Sequence, residues 1–497
     1  MSGPDWYGEV FEVRLGPPGH GGFCVARHEG RVLFVRHGLP GELVRARITE
    51  DRGGSFCRAD AIDILDPSPD RVPATCPVSG PGGAGCCDFT FATPEAQRAL
   101  KHQVVADQLR RLADWEPDFV VEPIPVPVGL PSGAVAHGPG SESPAAGRPD
   151  TSTGVAPGRI GGVATRVASA LIGSPAAESG RGVRRVGPPS ADAYAGGWRS
   201  RVRLVVDADG RAGVHGYRST EVIADLRCPQ PMAGAMDGIA ERNWTPGADL
   251  VVAVDGDGMR HLVELVPAGD ERGGQRERRD RGGRGGDRRS TAARRAAAHS
   301  ARTERVVDGT GRAVQYVAER RWELSATGFW QPHYGAAQCY SDVVAEWADA
   351  APGALVWDLY CGVGVFAARL AGQVGDTGFV HGVEFARTAV TEGRAALRDL
   401  SCVDLTAERV ERWIHEQSGA APDVVVLDPP RAGAGKDVIN ALSEHSPRRI
   451  VHIGCDPASF ARDVGLYRSA GYHPVALRVF DAFPGTHHVE CIAAFER

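Results

Sequence analysis

From about residue 335 onward, short apolar strands alternate with helical stretches, and this alternation restricts the fold of the chain more tightly than any other feature. The strands are Leu355-Val356-Trp357-Asp358-Leu359, Phe379-Val380-His381-Gly382-Val383, Val424-Val425-Val426-Leu427 and Ile450-Val451-His452-Ile453. Side chains alternate faces along a strand, so runs that are apolar at both phases need cover on both faces. Helices between the strands supply it, which predicts an α/β fold with a doubly wound, parallel-rich sheet. Ligands in such sheets sit at the carboxyl ends of the strands.

Each apolar run stops at residues with chemical capacity. The first ends in Asp358-Leu359-Tyr360-Cys361-Gly362-Val363-Gly364-Val365-Phe366, where glycines let a backbone turn approach a ligand closely. The three-glycine dinucleotide fingerprint is missing. The second ends at Glu384, about 20 residues on, where an acidic side chain can take a ribose diol. The third ends in Asp428-Pro429-Pro430-Arg431, and Asp-Pro-Pro in that place is a methyltransferase signature. Enzymes that methylate exocyclic amines usually follow it with an aromatic residue that stacks on the base. Arg431 stands there instead and argues for a different acceptor atom.

Carbon 5 of a pyrimidine is such an acceptor, but it is not nucleophilic by itself. A thiolate adding to carbon 6 activates it, and a base must later remove the carbon-5 proton. Cys455 ends the fourth run and is followed by Asp456, suited to an N-cap, and Pro457, suited to the first helical position. A helix N-terminus behind the sulfur is expected to favour thiolate. Glu490, in Thr486-His487-His488-Val489-Glu490, is the candidate base.

At 497 residues the chain should hold two or three domains. Residues 1–68 alternate apolar and polar side chains between glycine-rich breaks, as a small five-stranded barrel of the OB type would. Residues 69–132 and 191–267 are expected to form a central β-rich domain, and residues 304–497 the α/β domain. Residues 133–190, rich in Gly, Pro, Ser and Ala, and the Arg/Gly-rich residues 268–303 read as disordered insertions. Arg199, Arg201 and Arg203 fall at a spacing of two, a candidate phosphate track on one face of a strand.

A net charge of −6 gives no global basic signal, so any nucleic-acid contact must come from local patches. Eleven cysteines, an odd number, together with an N-terminus that lacks an apolar leader and no long apolar run, point to a cytoplasmic protein without membrane association. Cysteine groups are then read as metal or catalytic sites before disulfides.

The order Gln331, Asp358-Leu359-Tyr360-Cys361-Gly362-Val363-Gly364, Asp428-Pro429-Pro430-Arg431, Cys455-Asp456-Pro457 and His488-Val489-Glu490 resembles the bacterial RNA 5-methyluridine methyltransferases, which depend on S-adenosylmethionine. The resemblance covers nearly the whole chain outside the two insertions, and the N-terminal barrel is similar to their TRAM domain. It implies a Rossmann-like methyltransferase domain and methyl transfer to carbon 5 of a uridine in structured RNA, ribosomal RNA in preference to transfer RNA, by a monomer. It further implies that Gln331, Tyr360, Glu384 and Asp428 contact S-adenosylmethionine, that Cys455 is the nucleophile and that Glu490 accepts the proton. Val365 departs from the Asn often found after the second glycine. Trp330, Tyr334 and Arg431 are candidate grips on an extruded nucleotide.

Many ribosomal-RNA members hold a four-iron cluster on four cysteines, and the resemblance assigns Cys76, Cys86, Cys87 and Cys228 to it. Ala84 stands where one cysteine is expected, and the side chains of adjacent Cys86 and Cys87 should diverge. An intact [4Fe-4S] site and a relic of one both remain open at this point. Two other readings of the whole chain do as well: a small-molecule methyltransferase, and an RNA-binding relic without activity.

Overall fold

The C-terminal sheet has eight strands in the order Val403–Ala407, Phe379–Glu384, Leu355–Leu359, Val424–Leu427, Arg449–Gly454, Glu490–Glu496, His473–Asp481 and Val121–Pro123. All pairs are parallel except those made by Glu490–Glu496, which runs against both its neighbours. The computed structural model that shows this describes residues 5–125, 136–137, 196–267 and 302–497. Strand order reverses between Leu355–Leu359 and Val424–Leu427, and the crevice at that switch point is where the fold can receive a ligand.

The period-two alternation sorts the strand residues between two cores. Val356, Val424, Val426, Val451, Ile453, Phe480 and Ile492 lie on one face, under the helices Ala336–Ala348 and Val365–Val374. Trp357, Leu359, Val425, Leu427, Ile450, Cys491 and Phe495 lie on the other, under Val410–His415, Gly435–His445, Pro457–Ser469 and Pro94–Ala113.

Pro94–Ala113 was expected with the central region, and its place is a correction. Thr93 caps it by accepting from the Ala96 N–H at 3.3 Å, and Pro94 occupies the first turn. Its buried stripe of Leu100, Val105, Leu109 and Ala113 packs on Pro457–Ser469. The two helices approach so closely that a Cβ on Gly465 would stand 2.6 Å from the Leu112 carbonyl oxygen. The following strand Val121–Pro123 then closes the edge of the catalytic sheet. Long-range pairing, which the linear order of the chain does not show, draws residues 94–125 into the C-terminal layer.

A similar exchange occurs at the other boundary. Arg302–Asp308, whose larger part was expected in the α/β domain, pairs with Met259–Pro267 in the central antiparallel sheet. That sheet also contains Arg201–Val206, Ala212–His215, Val222–Ile223 and Asp249–Val254, over a core of Leu204, Ile239, Trp244, Leu250 and Val252. The backbone of Ala136–His137 pairs with Met259 and Arg260. The remainder of the two expected insertions lies outside the described residues, apart from Gly196 and Gly197 beside them and Arg302 and Thr303 at the start of their strand.

The N-terminal module has five strands of five residues or more, Val10–Arg14, Phe23–His28, Arg31–Arg36, Leu43–Asp51 and Phe56–Asp66, with a two-residue piece at Pro18–Gly19. The sheet curls around Val13, Cys24, Leu33, Val35, Val44, Ile48 and Ala59. Its first and second long strands meet through the Phe11 and His28 rings, stacked 4.2 Å apart. Among the described residues no helix is long and apolar enough to cross a membrane.

Candidate active site

Strand alternation builds the site. Val424 and Val426 point into the first core, so Asp428 continues on that face; Val451 and Ile453 lead in the same way to Cys455, Val356 to Asp358, Val380 to Glu384, and Ile492 back to Glu490. Gly454 pairs with Cys491 across the antiparallel ladder, so Cys455 and Glu490 fall at the next paired position. Four carboxyl groups and one thiol therefore line a single edge. The carboxyl end of the sheet is where they converge.

Cys455 sits half-buried between Arg449–Gly454 and the helix Pro457–Ser469. Asp456 caps that helix as expected, accepting from the Ala458 and Ser459 N–H groups at 3.1 and 2.9 Å. The expected lowering of the thiol is not found. Burial, then the Glu490 and Asp428 carboxylates, push Cys455 up to about 12, with Arg431 pulling the other way. Burial and the Asp428 charge also hold Glu490 well above the ordinary carboxylate range, again opposed by Arg431. A protonated Glu490 exerts no push on the sulfur, which leaves burial as the main cause. The resting site thus holds a thiol and a carboxylic acid, and Arg431 is the cation that favours ionising both.

Glu490 is only 3% exposed, so it is no surface residue. Its position is fixed by the segment before it. Lys101, fully buried, pairs with Asp481 at 2.5 Å and donates to the Phe483 carbonyl at 3.1 Å, while the Gln97 side chain accepts from the Gly485 N–H at 2.7 Å. The N-terminal module reaches the same place. His20 bonds the Asp456 carboxylate at 2.8 Å, and Asp88 links Arg36 of the module, at 2.6 Å, to His487, at 2.5 Å.

The other end of the edge suits an extended cationic ligand. Burial and Glu384 raise Asp428 to about 7. Asp358 goes to about 8 through burial, against the Ala367 N–H bond of 2.8 Å, with the Asp428 and Glu384 charges adding to the rise. Its Oδ1 is buried without a partner among the described residues. Gly362, at φ +55°, has nothing within 4 Å of where a Cβ would stand, so the turn is open above it. A sulfonium donor with an amino group fits this acidic, open-topped turn. Glu384 accepts from the Gly362 and Ala386 N–H groups at 3.3 and 2.7 Å, which holds its carboxylate at the strand end. From sequence Asp358 belongs to the first strand and the motif that ends it, with no role of its own; an ionisable residue inside an apolar strand is the signal that marks it.

Tyr360 takes the left-handed conformation at φ 62°, with its hydroxyl turned toward Glu411 and Asp463. Gln331 is half-buried on the segment leading into Ala336–Ala348. Trp330 is not a grip: it lies in the first core, 6.3 Å from the Trp322 ring. Tyr334 is half-buried and Arg431 exposed.

The arginine track does not form. Arg199 donates to the Arg201 carbonyl and to Gln230, Arg201 to the carbonyls of Ala326 and Gly328, and Arg203 to Asp249. Neighbouring elements, which strand spacing cannot reveal, engage all three guanidinium groups.

The four remaining expected ligands do gather. The Cys87 thiol lies against those of Cys76, Cys86 and Cys228 and accepts from the Gln230 amide at 3.2 Å. The four thiols meet through Cys87, and Cys86 is exposed. Among the described residues no group of His, Cys, Asp or Glu is arranged to hold a metal ion. The sequence leaves an intact [4Fe-4S] site and a relic of one both open, and the described residues show no cluster site.

Comparison with known proteins agrees with the geometry. Residues 7–61 match the family model "TRAM domain" and residues 313–497 the model "tRNA (Uracil-5-)-methyltransferase". An uncharacterized RNA methyltransferase of Streptomyces coelicolor is 38% identical over 98% of this chain and 93% of its own length. The 23S rRNA (uracil(1939)-C(5))-methyltransferase of Alkalilimnicola ehrlichii is 28% identical over 98% of this chain and 97% of its own. The crystal structure of Pyrococcus abyssi tRNA (uracil-54, C5)-methyltransferase with S-adenosyl-L-homocysteine has the same fold, with a TM-score of 0.59 at 16% identity over 98% of this chain and all of the other.

Proposed function

Because the chain belongs to the TRAM-bearing RNA (uracil-5-)-methyltransferases, which use S-adenosylmethionine, we propose that it methylates carbon 5 of a specific uridine in structured RNA through a covalent bond to Cys455. The observation that carries this reading is the register that sets Cys455 beside Glu490 on the face shared with Asp428. Ribosomal RNA is the preferred substrate, since the relative named for 23S rRNA aligns along both full lengths, whereas the transfer-RNA enzyme matches at a level that speaks for fold alone.

Bound at the acidic turn, S-adenosylmethionine supplies an electrophilic methyl group. The chain's own residues do the rest. Gln331, Tyr360, Glu384 and Asp428 hold and orient the donor, with Asp358 beneath the turn. The Cys455 thiol gives its proton to solvent, its sulfur forms a bond to carbon 6, and the displaced electron pair moves through carbon 5 onto oxygen 4. Carbon 5 can then take the methyl group. Glu490, ionised once its resting proton has gone to solvent, removes the carbon-5 proton, the double bond reforms and the Cys455–carbon 6 bond breaks to return thiolate. Arg431 stabilises both anions on the way, and the His20–Asp456 contact brings the N-terminal module against the nucleophile's helix, where it can help to hold RNA.

The test is incubation with 23S rRNA fragments and transfer RNA in the presence of methyl-labelled donor, followed by mass mapping. Label on carbon 5 of one uridine, lost in Cys455→Ala, is expected. Label on a base nitrogen or a ribose, or full activity in Cys455→Ala, would sink the covalent mechanism.

A further inference from the structure

The mechanism leaves one buried ionisable group unused beside the reacting residues. Tyr340 lies on the helix Ala336–Ala348, which covers the same sheet face that carries Cys455, Asp428 and Glu490. It is 0% exposed, and its hydroxyl has no hydrogen-bond partner among the described residues. A buried phenol normally finds one, because leaving an O–H unpaired costs roughly 1–3 kcal/mol. An unpaired group of this kind calls for an explanation, and a catalytic role is one.

Geometry says which partner. The Tyr340 ring packs 5.9 Å from that of Phe480, and Phe480 is the residue directly opposite Glu490 across the antiparallel pair. Opposed residues share a face, so Tyr340 overlies the pair that Glu490 belongs to. Glu490 in turn is buried, only 3% exposed. After burial itself, an ionised Glu490 acts most strongly on the phenol, ahead of Cys339, Asp428 and Cys455. All of these hold the phenol protonated. It is a donor and not a base.

We infer that Tyr340 is a positioning residue for proton removal, its hydroxyl donating a hydrogen bond to the Glu490 carboxylate when that group ionises to take the carbon-5 proton. The phenol keeps its proton throughout; the proton from carbon 5 ends on Glu490. An O–H bond to a carboxylate is the charge-assisted kind, and it appears only in the state that must react. No motif points to residue 340.

This inference rests on the covalent reading above, and Tyr340→Phe tests it while leaving the ring in place. Expected are a fall in kcat of roughly 10- to 100-fold, an unchanged KM for S-adenosylmethionine, an upward shift of the pH midpoint of kcat, and accumulation of a methylated protein–RNA adduct visible on a denaturing gel. Thermal stability should hold or rise, since an unpaired buried hydroxyl is removed. A merely structural tyrosine would lower stability without trapping adduct, and that outcome overturns the inference. Glu490→Gln run in parallel separates the two claims. If it traps adduct and Tyr340→Phe does not, only the role of Tyr340 falls; if neither traps, the covalent reading falls with it.

Discussion

Cysteine stands in two contrasting settings in this molecule, and the difference between them lies in what surrounds the sulfur. At the C-terminal sheet edge Cys455 is one thiol among carboxyl groups, held at the end of a strand whose register fixes its neighbours. Near the N-terminal module, Cys76, Cys86, Cys87 and Cys228 come from loops and meet mainly one another. Strand periodicity makes the first arrangement rigid and directional. Loops bring the second set together without a strand register to fix it.

The largest effect that would sharpen this contrast is at the sulfurs themselves. Cys455→Ala should lower methyl transfer by roughly 10⁴-fold or more, the scale seen when a covalent nucleophile is removed. Cys87→Ala should leave transfer within a few fold and cost about 1–3 kcal/mol of stability by denaturant melting. Broad visible absorption from anaerobically purified protein, lost in Cys87→Ala, would break the comparison.

Next in size is the base. Glu490→Gln should permit attack and methyl transfer but slow release by roughly 10²–10⁴-fold, so protein–RNA adduct resistant to denaturation should build up.

The acidic turn should show itself through pH. Asp428 titrates near 7 in the empty site, so S-adenosylmethionine should bind more tightly as pH rises from 6 to 8, by up to about tenfold per unit below the midpoint, read by calorimetry. Stability moves oppositely. A carboxyl group raised above its unfolded value stabilises fully below about pH 4 and loses that contribution as pH rises through about 7. Asp428→Asn should therefore melt higher than the parent at pH 8, by on the order of 2 kcal/mol, and equally near pH 4, while binding the donor less well.

The smallest effect is expected at the contact with the N-terminal module. Hydrogen bonding to Asp456 raises His20, and despite burial the bonds from His20 and Ser459 hold Asp456 near 2. Deprotonating His20 removes the ion pair, so the contribution of the contact fades as pH climbs past the raised His20 value. His20→Ala should reduce activity on RNA by only about two- to fivefold, because a partly exposed pair is worth little. An unchanged rate at pH 6 would mean that the contact does not help position the nucleophile's helix.

The sequence was legible where a local rule governs. The Asp456 cap, Pro457 in the first turn and the four apolar runs ending at Asp358, Glu384, Asp428 and Cys455 follow from residues within a few positions of one another. Misreadings fell where distant elements compete for the same groups. Arg201 stood in the candidate phosphate track, but the Ala326 and Gly328 carbonyls engage it; Trp330 was a candidate grip, but it packs against Trp322; and Pro94–Ala113 was expected in the central domain, but Gly465 opens a surface for it.

The sequence by itself determined the alternating sheet, the order of its functional strand ends and the chemistry those ends can carry, because periodicity and capping act over a few residues. Only tertiary structure decided the protonation of the site, the phenol waiting above Glu490 and the gathering of the four thiols. Burial and strand register set the first two and loop packing the third, and each joins residues that local sequence rules do not relate, as with Cys87 and Cys228.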